Sequence, residues 1–135
     1  TYCYNLLGYP DKIICSGKIK NGIDISEKIT LKYGQTVCKF YISLTSLREG
    51  CVIKGSNGRI DIPLFHMASK AILKNDNGKE IYKGKTDYLT EFSRAAQEIR
   101  FGKKESDYIP FSATLQCMQI MDECRRQMHL KYPFE

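Results

Sequence analysis

The segment Ile23–Tyr33 constrains this chain most, because its residues alternate at period two. Ile23, Ile25, Ile29, Leu31 and Tyr33 share one parity; Asp24, Ser26, Lys28, Thr30 and Lys32 share the other. Successive strand side chains point to opposite faces, so this pattern predicts a strand with one face buried. Gly34-Gln35 supplies a tight turn. Residues 36–44 then alternate again, with Cys38, Phe40, Ile42 and Leu44 against Val37, Lys39, Tyr41 and Ser43. The two runs read as an antiparallel hairpin.

Other segments extend this β-rich stretch to about residue 82. Upstream, Ile13, Cys15, Gly17 and Ile19 alternate with Ile14, Ser16 and Lys18. Downstream, short strands are expected at residues 51–54, 59–62, 69–74 and 79–82, with turns at Gly55-Ser56-Asn57-Gly58 and Asn75-Asp76-Asn77-Gly78. Residues 2–8 look like the tail of a helix stopped by Gly8 and Pro10.

Two helices are expected at the end of the chain. Leu89, Phe92, Ala95, Ala96 and Ile99 recur at helical spacing, with Asp87 as N-cap and Gly102 just past the end. The second helix follows Pro110, with Ser112 as N-cap and a stripe of Cys117, Met121, Cys124 and Met128, flanked by Leu115 and Met118. Asp122 and Arg126 are placed to pair one turn apart, and Tyr132-Pro133 ends the element. Strands followed by helices imply an α+β fold: a two-layer, predominantly antiparallel open sheet with both C-terminal helices on one face. The other face would carry Ile14, Val37, Tyr41 and Val52 among Ser16, Thr30, Lys39 and Ser43. An uncovered sheet face with several apolar residues is a candidate subunit interface, so a homodimer through it is expected.

The length of 135 residues suits one domain, residues 1–135. At 42% hydrophobic and 27% charged, the composition is that of an ordinary globular domain. No apolar run approaches the roughly 20 residues that span a bilayer. The first residues lack the zones of a signal peptide, and Thr1 is not an initiator Met, so the chain is expected to begin within a gene or to have been trimmed. The net charge of +6 raises the question of nucleic acid or an anionic membrane. The lysines are spread along the chain (Lys12, Lys18, Lys28, Lys39, Lys54, Lys70, Lys83), which reads as a solvated surface, so neither partner is expected. Six cysteines, several inside apolar runs, suggest free thiols in a reducing, cytoplasmic setting.

Chemistry is sparse. A dinucleotide site needs a glycine-rich turn between a strand and a helix; Gly55-Ser56-Asn57-Gly58 has the wrong spacing and lies between two strands. The only histidines are His66 and His129, and no cysteine pair has zinc-knuckle spacing, so no metal is expected. Asp61, Asp87, Glu91 and Asp122 lack an apolar background that would raise a carboxyl pKa. Phe65 and His66 lie in a loop after Pro63, where they either face a ligand or pack on their own sheet. No catalytic, cofactor-binding or metal-binding residue is assigned from these patterns.

Three segments, in order, resemble the C-terminal domain of the Gfo/Idh/MocA oxidoreductases, the family of glucose–fructose oxidoreductase, inositol dehydrogenase and dimeric dihydrodiol dehydrogenase. They are Leu6-Leu7-Gly8-Tyr9-Pro10; Gly55-Ser56-Asn57-Gly58-Arg59-Ile60-Asp61-Ile62-Pro63 with Phe65; and a long run holding Glu91-Phe92, Ala95-Ala96, Gly102-Lys103-Lys104-Glu105-Ser106, Pro110, Ser112, Met121-Asp122-Glu123-Cys124-Arg125 and Tyr132-Pro133-Phe134-Glu135. The resemblance implies the substrate-binding and oligomerisation domain of an enzyme acting on a sugar, polyol or diol. NAD or NADP would be held by an N-terminal Rossmann domain that is this domain's own partner, and the catalytic residues would lie upstream of Thr1. The chain alone would then be inactive and hold no cofactor. Phe65 and His66 would approach substrate. The alternative is a stand-alone association module that shares only the fold.

Overall fold

The computed structural model describes residues 1–85 and 88–132. The expected cap Asp87 and the Pro133 stop signal lie outside them. The chain divides into two compact units, Thr1–Ser46 with Phe101–Glu135, and Leu47–Arg100.

In the first unit a short helix α1 (Tyr2–Leu7) ends at Gly8, whose φ of 76° is easy only for glycine. Strands β1 (Lys12–Lys20), β2 (Ile23–Tyr33) and β3 (Thr36–Ser43) form an antiparallel sheet in that order. Asn21-Gly22 joins the first pair with positive φ at both residues, the pattern of a primed turn that matches strand twist. A bulge between Lys18 and Ile19 shifts the register, so that Cys15 faces Ile29 and Lys12 faces Lys32. Cys15 and Leu31 are buried on one face of this sheet.

Helix α3 (Phe111–Gln127) packs against β1. Its buried residues are Ala113 and Cys124, and Leu130 just beyond it is buried too. Gly17 makes room for this packing: a Cβ there would stand 2.5 Å from Met128 Sδ and 2.6 Å from the Ser26 carbonyl.

Of the expected stripe, Cys117, Cys124 and Met128 are at least half-buried and Met121 is not. Met121, Leu115 and Met118 are exposed, because Ala113, Cys117, Ile120 and Cys124 are the residues turned inward. Pro110, not Ser112, occupies the N-cap; the first free amide, Phe111 N–H, donates instead to Glu105 Oε2 at 2.7 Å. Asp122 and Arg126 do not pair with each other. Arg126 closes a two-pronged bond on Glu123 at 2.7 Å, and Arg125 takes Asp122 at 2.8 Å. A carboxylate three residues back can offer both oxygens to one guanidinium, and that two-pronged fit wins.

The second unit is a four-stranded antiparallel meander of β4 (Gly50–Gly55), β5 (Gly58–Pro63), β6 (Lys70–Asn75) and β7 (Gly78–Lys83). A single 3-10 turn, Phe65–Met67, follows β5, and helix α2 (Leu89–Arg100) follows β7. The α+β class, the antiparallel strands and the two C-terminal helices are those the sequence implies. The strands are divided between two sheets, and among the helices α3 covers its sheet while α2 buries none of its residues. No helix among the described residues is long and apolar enough to cross a membrane.

Candidate functional site

His66 sits in the 3-10 turn at the end of β5. The β4–β5 register pairs Gly55 with Gly58 and Gly50 with Pro63. That ladder leaves Glu49 beside the chain emerging from Pro63. Glu49 Oε1 accepts the backbone N–H of His66 and lies 3.0 Å from its Nδ1. With Nδ1–H donating to the carboxylate, Nε2 is left as an acceptor. The Phe65 ring meets the imidazole edge-on at 6.2 Å. The His66 side chain is 82% exposed, so the ring is presented to solvent rather than packed on its own sheet. Leu64, just before the turn, adopts φ 50°, ψ 59°, a left-handed conformation costly for a branched side chain. Glu49 escaped the sequence reading, although counting back from the Gly55/Gly58 turn places residue 49 opposite residue 64.

The remaining titratable groups are arranged for structure. Asp61 is clamped by Arg59 Nε at 3.0 Å and Lys74 Nζ at 3.0 Å, which hold its carboxyl below the usual range and disqualify it as a general acid. Arg59 and Lys74 face each other across β5 and β6 and line a 390 Å³ cleft with Lys54 and Asp76. Burial raises the Cys15 thiol, and burial with Cys15 beside it pushes Cys124 up to about 12, so both are protonated and poor nucleophiles near neutrality. Among the described residues no three His, Cys, Asp or Glu side chains converge as a metal site. Gly55-Ser56-Asn57-Gly58 joins two antiparallel strands with no helix directly after it, so this turn is not the strand-to-helix turn that cradles a dinucleotide.

Glu27 is a titrating group with a stability consequence. Burial, aided by the nearby Asp24 carboxylate, raises its pKa above the ordinary 4.5. A carboxyl raised in the folded state stabilises fully only below its unfolded pKa, and that contribution is lost as pH rises through the folded value. Replacing Glu27 by glutamine should therefore raise stability at pH 7 and leave it unchanged near pH 4. Urea unfolding of both proteins at the two pH values checks this. A neutral-pH loss would mean that the carboxylate is favourably paired.

Of the four expected interface residues, Ile14, Val37 and Tyr41 share one face of the β1–β2–β3 sheet, opposite the buried Cys15 and Leu31. Val52 belongs to the β4–β7 sheet of the second unit instead. All four are exposed, at 41% for Ile14, 47% for Val37, 62% for Tyr41 and 50% for Val52.

No family profile matches this chain, and no curated protein matches it. Among solved structures it is similar to the "putative oxidoreductase yvaA" of Bacillus subtilis, with a TM-score of 0.68 at 15% sequence identity. The match covers 96% of this chain and 46% of that one, so this chain spans about half the length of the structure it resembles. At that identity the similarity establishes a shared fold.

Proposed function

We propose that this chain is the substrate-side domain of a nicotinamide-dependent oxidoreductase of the Gfo/Idh/MocA type, acting on a sugar, polyol or diol. A separate Rossmann domain would hold NAD or NADP. The observation that carries the reading is the fold match over 96% of the chain to 46% of the Bacillus subtilis yvaA structure. The three ordered segments beginning at Leu6, Gly55 and Glu91 point the same way. Hydride transfer requires donor and acceptor in near-attack geometry, and in this reading the Rossmann domain supplies the donor. This chain's contribution is a wall for the substrate, with His66 positioned by Glu49 to meet a substrate hydroxyl through Nε2.

Two measurements test the reading. Calorimetric titration of the 135-residue chain with NADH should show no binding; saturable binding would overturn the two-domain reading. In the polypeptide that joins this chain to a nucleotide-binding domain, NAD(P)-linked oxidation should appear across a panel of diols and sugars. There, His66→Ala should raise KM about tenfold with a smaller change in kcat, the cost of one lost hydrogen bond in substrate binding. An unchanged KM would remove His66 from the substrate wall.

A further inference from the structure

The register of the second unit sets four cations abreast. Lys54 stands opposite Arg59 across β4 and β5, Arg59 opposite Lys74 across β5 and β6, and Lys74 opposite Lys79 across β6 and β7. Directly opposed residues share a face, so the row crosses the whole sheet on one side, about 14 Å at ~4.8 Å per strand. All four residues are exposed. Like charges placed directly opposite repel. Asp61, on the same face of β5, answers only two of them, Arg59 Nε at 3.0 Å and Lys74 Nζ at 3.0 Å. Among the described residues Lys54 and Lys79 make no ion pair.

The row lies at the end of the sheet where the 55–58 and 75–78 turns lie. There Lys54, Arg59 and Lys74 line the 390 Å³ cleft with Asp76 and the bare backbone of Gly55 and Gly58. That volume suits a small molecule, whose clefts run roughly 300–1,000 Å³. Asp61 also holds two of the cationic heads in place. Arg59 spends Nε and Nη2 on Oδ1, and Lys74 reaches Oδ2. Arg59 Nη1 and further ammonium protons of Lys74 remain as donors. Four cations against Asp61 and Asp76 leave an excess of positive charge that a phosphoryl group, carrying about two negative charges at neutral pH, would balance.

We propose that this cleft binds a terminal phosphoryl group, carried by a small molecule or free as phosphate. Guanidinium and ammonium donors converging on one anion are the groups that hold phosphate oxygens. A carboxylate would bring half the charge. A phosphodiester has one charge per phosphorus, and no aromatic side chain is among the residues lining the cleft to stack a base, so a nucleic-acid strand fits it less well. The site is separate from His66, which follows the opposite end of β5, and it does not rest on the role given to that residue.

The test is calorimetric titration of the chain at low salt with glycerol phosphate and, separately, with inorganic phosphate. Both should bind saturably and weaken as salt rises. Tighter binding of glycerol phosphate identifies a phosphorylated small molecule as the source; equal or tighter binding of the inorganic ion identifies free phosphate. Lys54→Gln with Lys74→Gln should weaken binding about tenfold or more, the cost of two charged hydrogen bonds. Lys70→Gln with Lys83→Gln makes the same change in net charge on the same face of the same sheet, at its other end about 13 Å away along β6, and should change affinity less than about twofold. If the first pair fails to fold by circular dichroism, Lys54→Gln alone, which breaks no ion pair, should still weaken binding about threefold or more.

Absence of binding to both anions, or equal loss from the two lysine pairs, overturns the proposal. So does tighter binding of an oligothymidylate than of glycerol phosphate. NADH, whose two phosphoryl groups are both internal, should not displace glycerol phosphate; displacement would overturn the preference for a terminal group.

Discussion

Gln127→Leu should lower the stability of the first unit by about 2–4 kcal/mol, the cost of stripping partners from two part-buried backbone groups. β1 is an edge strand, and its outward backbone groups would otherwise stay unpaired. Gln127, at the end of α3, places its amide against that edge as a neighbouring strand's peptide would. Cys15 N–H donates to Gln127 Oε1 at 2.7 Å, and Nε2 donates to the Ile13 carbonyl at 2.9 Å. The same Nε2 also donates to Glu123 Oε1 at 2.6 Å, so the amide is fixed in orientation from its own helix. Leucine keeps the bulk of the side chain and removes all three bonds.

The chain has no tryptophan, so far-UV circular dichroism in urea is the readout, with the midpoint falling and the slope unchanged. Amide exchange at Cys15 should accelerate. Gln127→Glu separates hydrogen bonding from packing. Its carboxylate still accepts from Cys15 but confronts the Ile13 carbonyl and Glu123, so its deficit should be larger at pH 7 than below the ordinary glutamate pKa of about 4.3. A Gln127→Leu protein as stable as the parent would mean that water satisfies the β1 edge.

Gly58→Ala should disrupt the second unit, at a cost of about 3 kcal/mol or more. Two penalties coincide there. The φ of 148° is one that L side chains rarely adopt, and a Cβ would stand 2.4 Å from the Lys74 carbonyl and 3.0 Å from Asn75 Cβ. The obstacle is the backbone of β6, held to β5 by the pairing of Arg59 with Lys74, so relief requires separating the strands. Gly78→Ala is the matched control. Its φ of 121° is also strained, but nothing lies within 4 Å of the added carbon, so only the backbone cost of about 1–2 kcal/mol should appear. Thermal unfolding of the two variants should rank them clearly. Equal losses would show that backbone conformation alone, and not the close approach of β6, makes glycine necessary at residue 58.

The strands were legible because alternation is a one-dimensional property. Ile23–Tyr33 forms β2 with the bounds its pattern predicts, and Gly55-Ser56-Asn57-Gly58 turns β4 into β5. The helices were legible in position but not in their ends or pairings. Pro110 caps α3 where Ser112 was expected, because Glu105, six residues before Phe111, reaches the free amide from outside the helix. Of the candidate site, Phe65 and His66 were visible as a loop after Pro63. Their partner Glu49 lies 17 residues from His66 and becomes its neighbour only through the hairpin.

The sequence by itself determined which segments are strands and helices, where glycine must turn the chain, and that the class is α+β. Tertiary structure alone decided which side chains share a face. The Asn21-Gly22 turn pairs Lys20 with Ile23, and an uninterrupted ladder from that turn would set Lys12 opposite the buried Leu31. The bulge at Lys18 and Ile19 adds one residue, and Lys12 faces Lys32 instead. A slip of one residue moves every later side chain to the other face. That single shift aligns Cys15 with Ile29 under α3 and leaves six lysines (Lys12, Lys18, Lys20, Lys28, Lys32 and Lys39) on the opposite face of this sheet, a distribution set by long-range packing and not by any local run of residues.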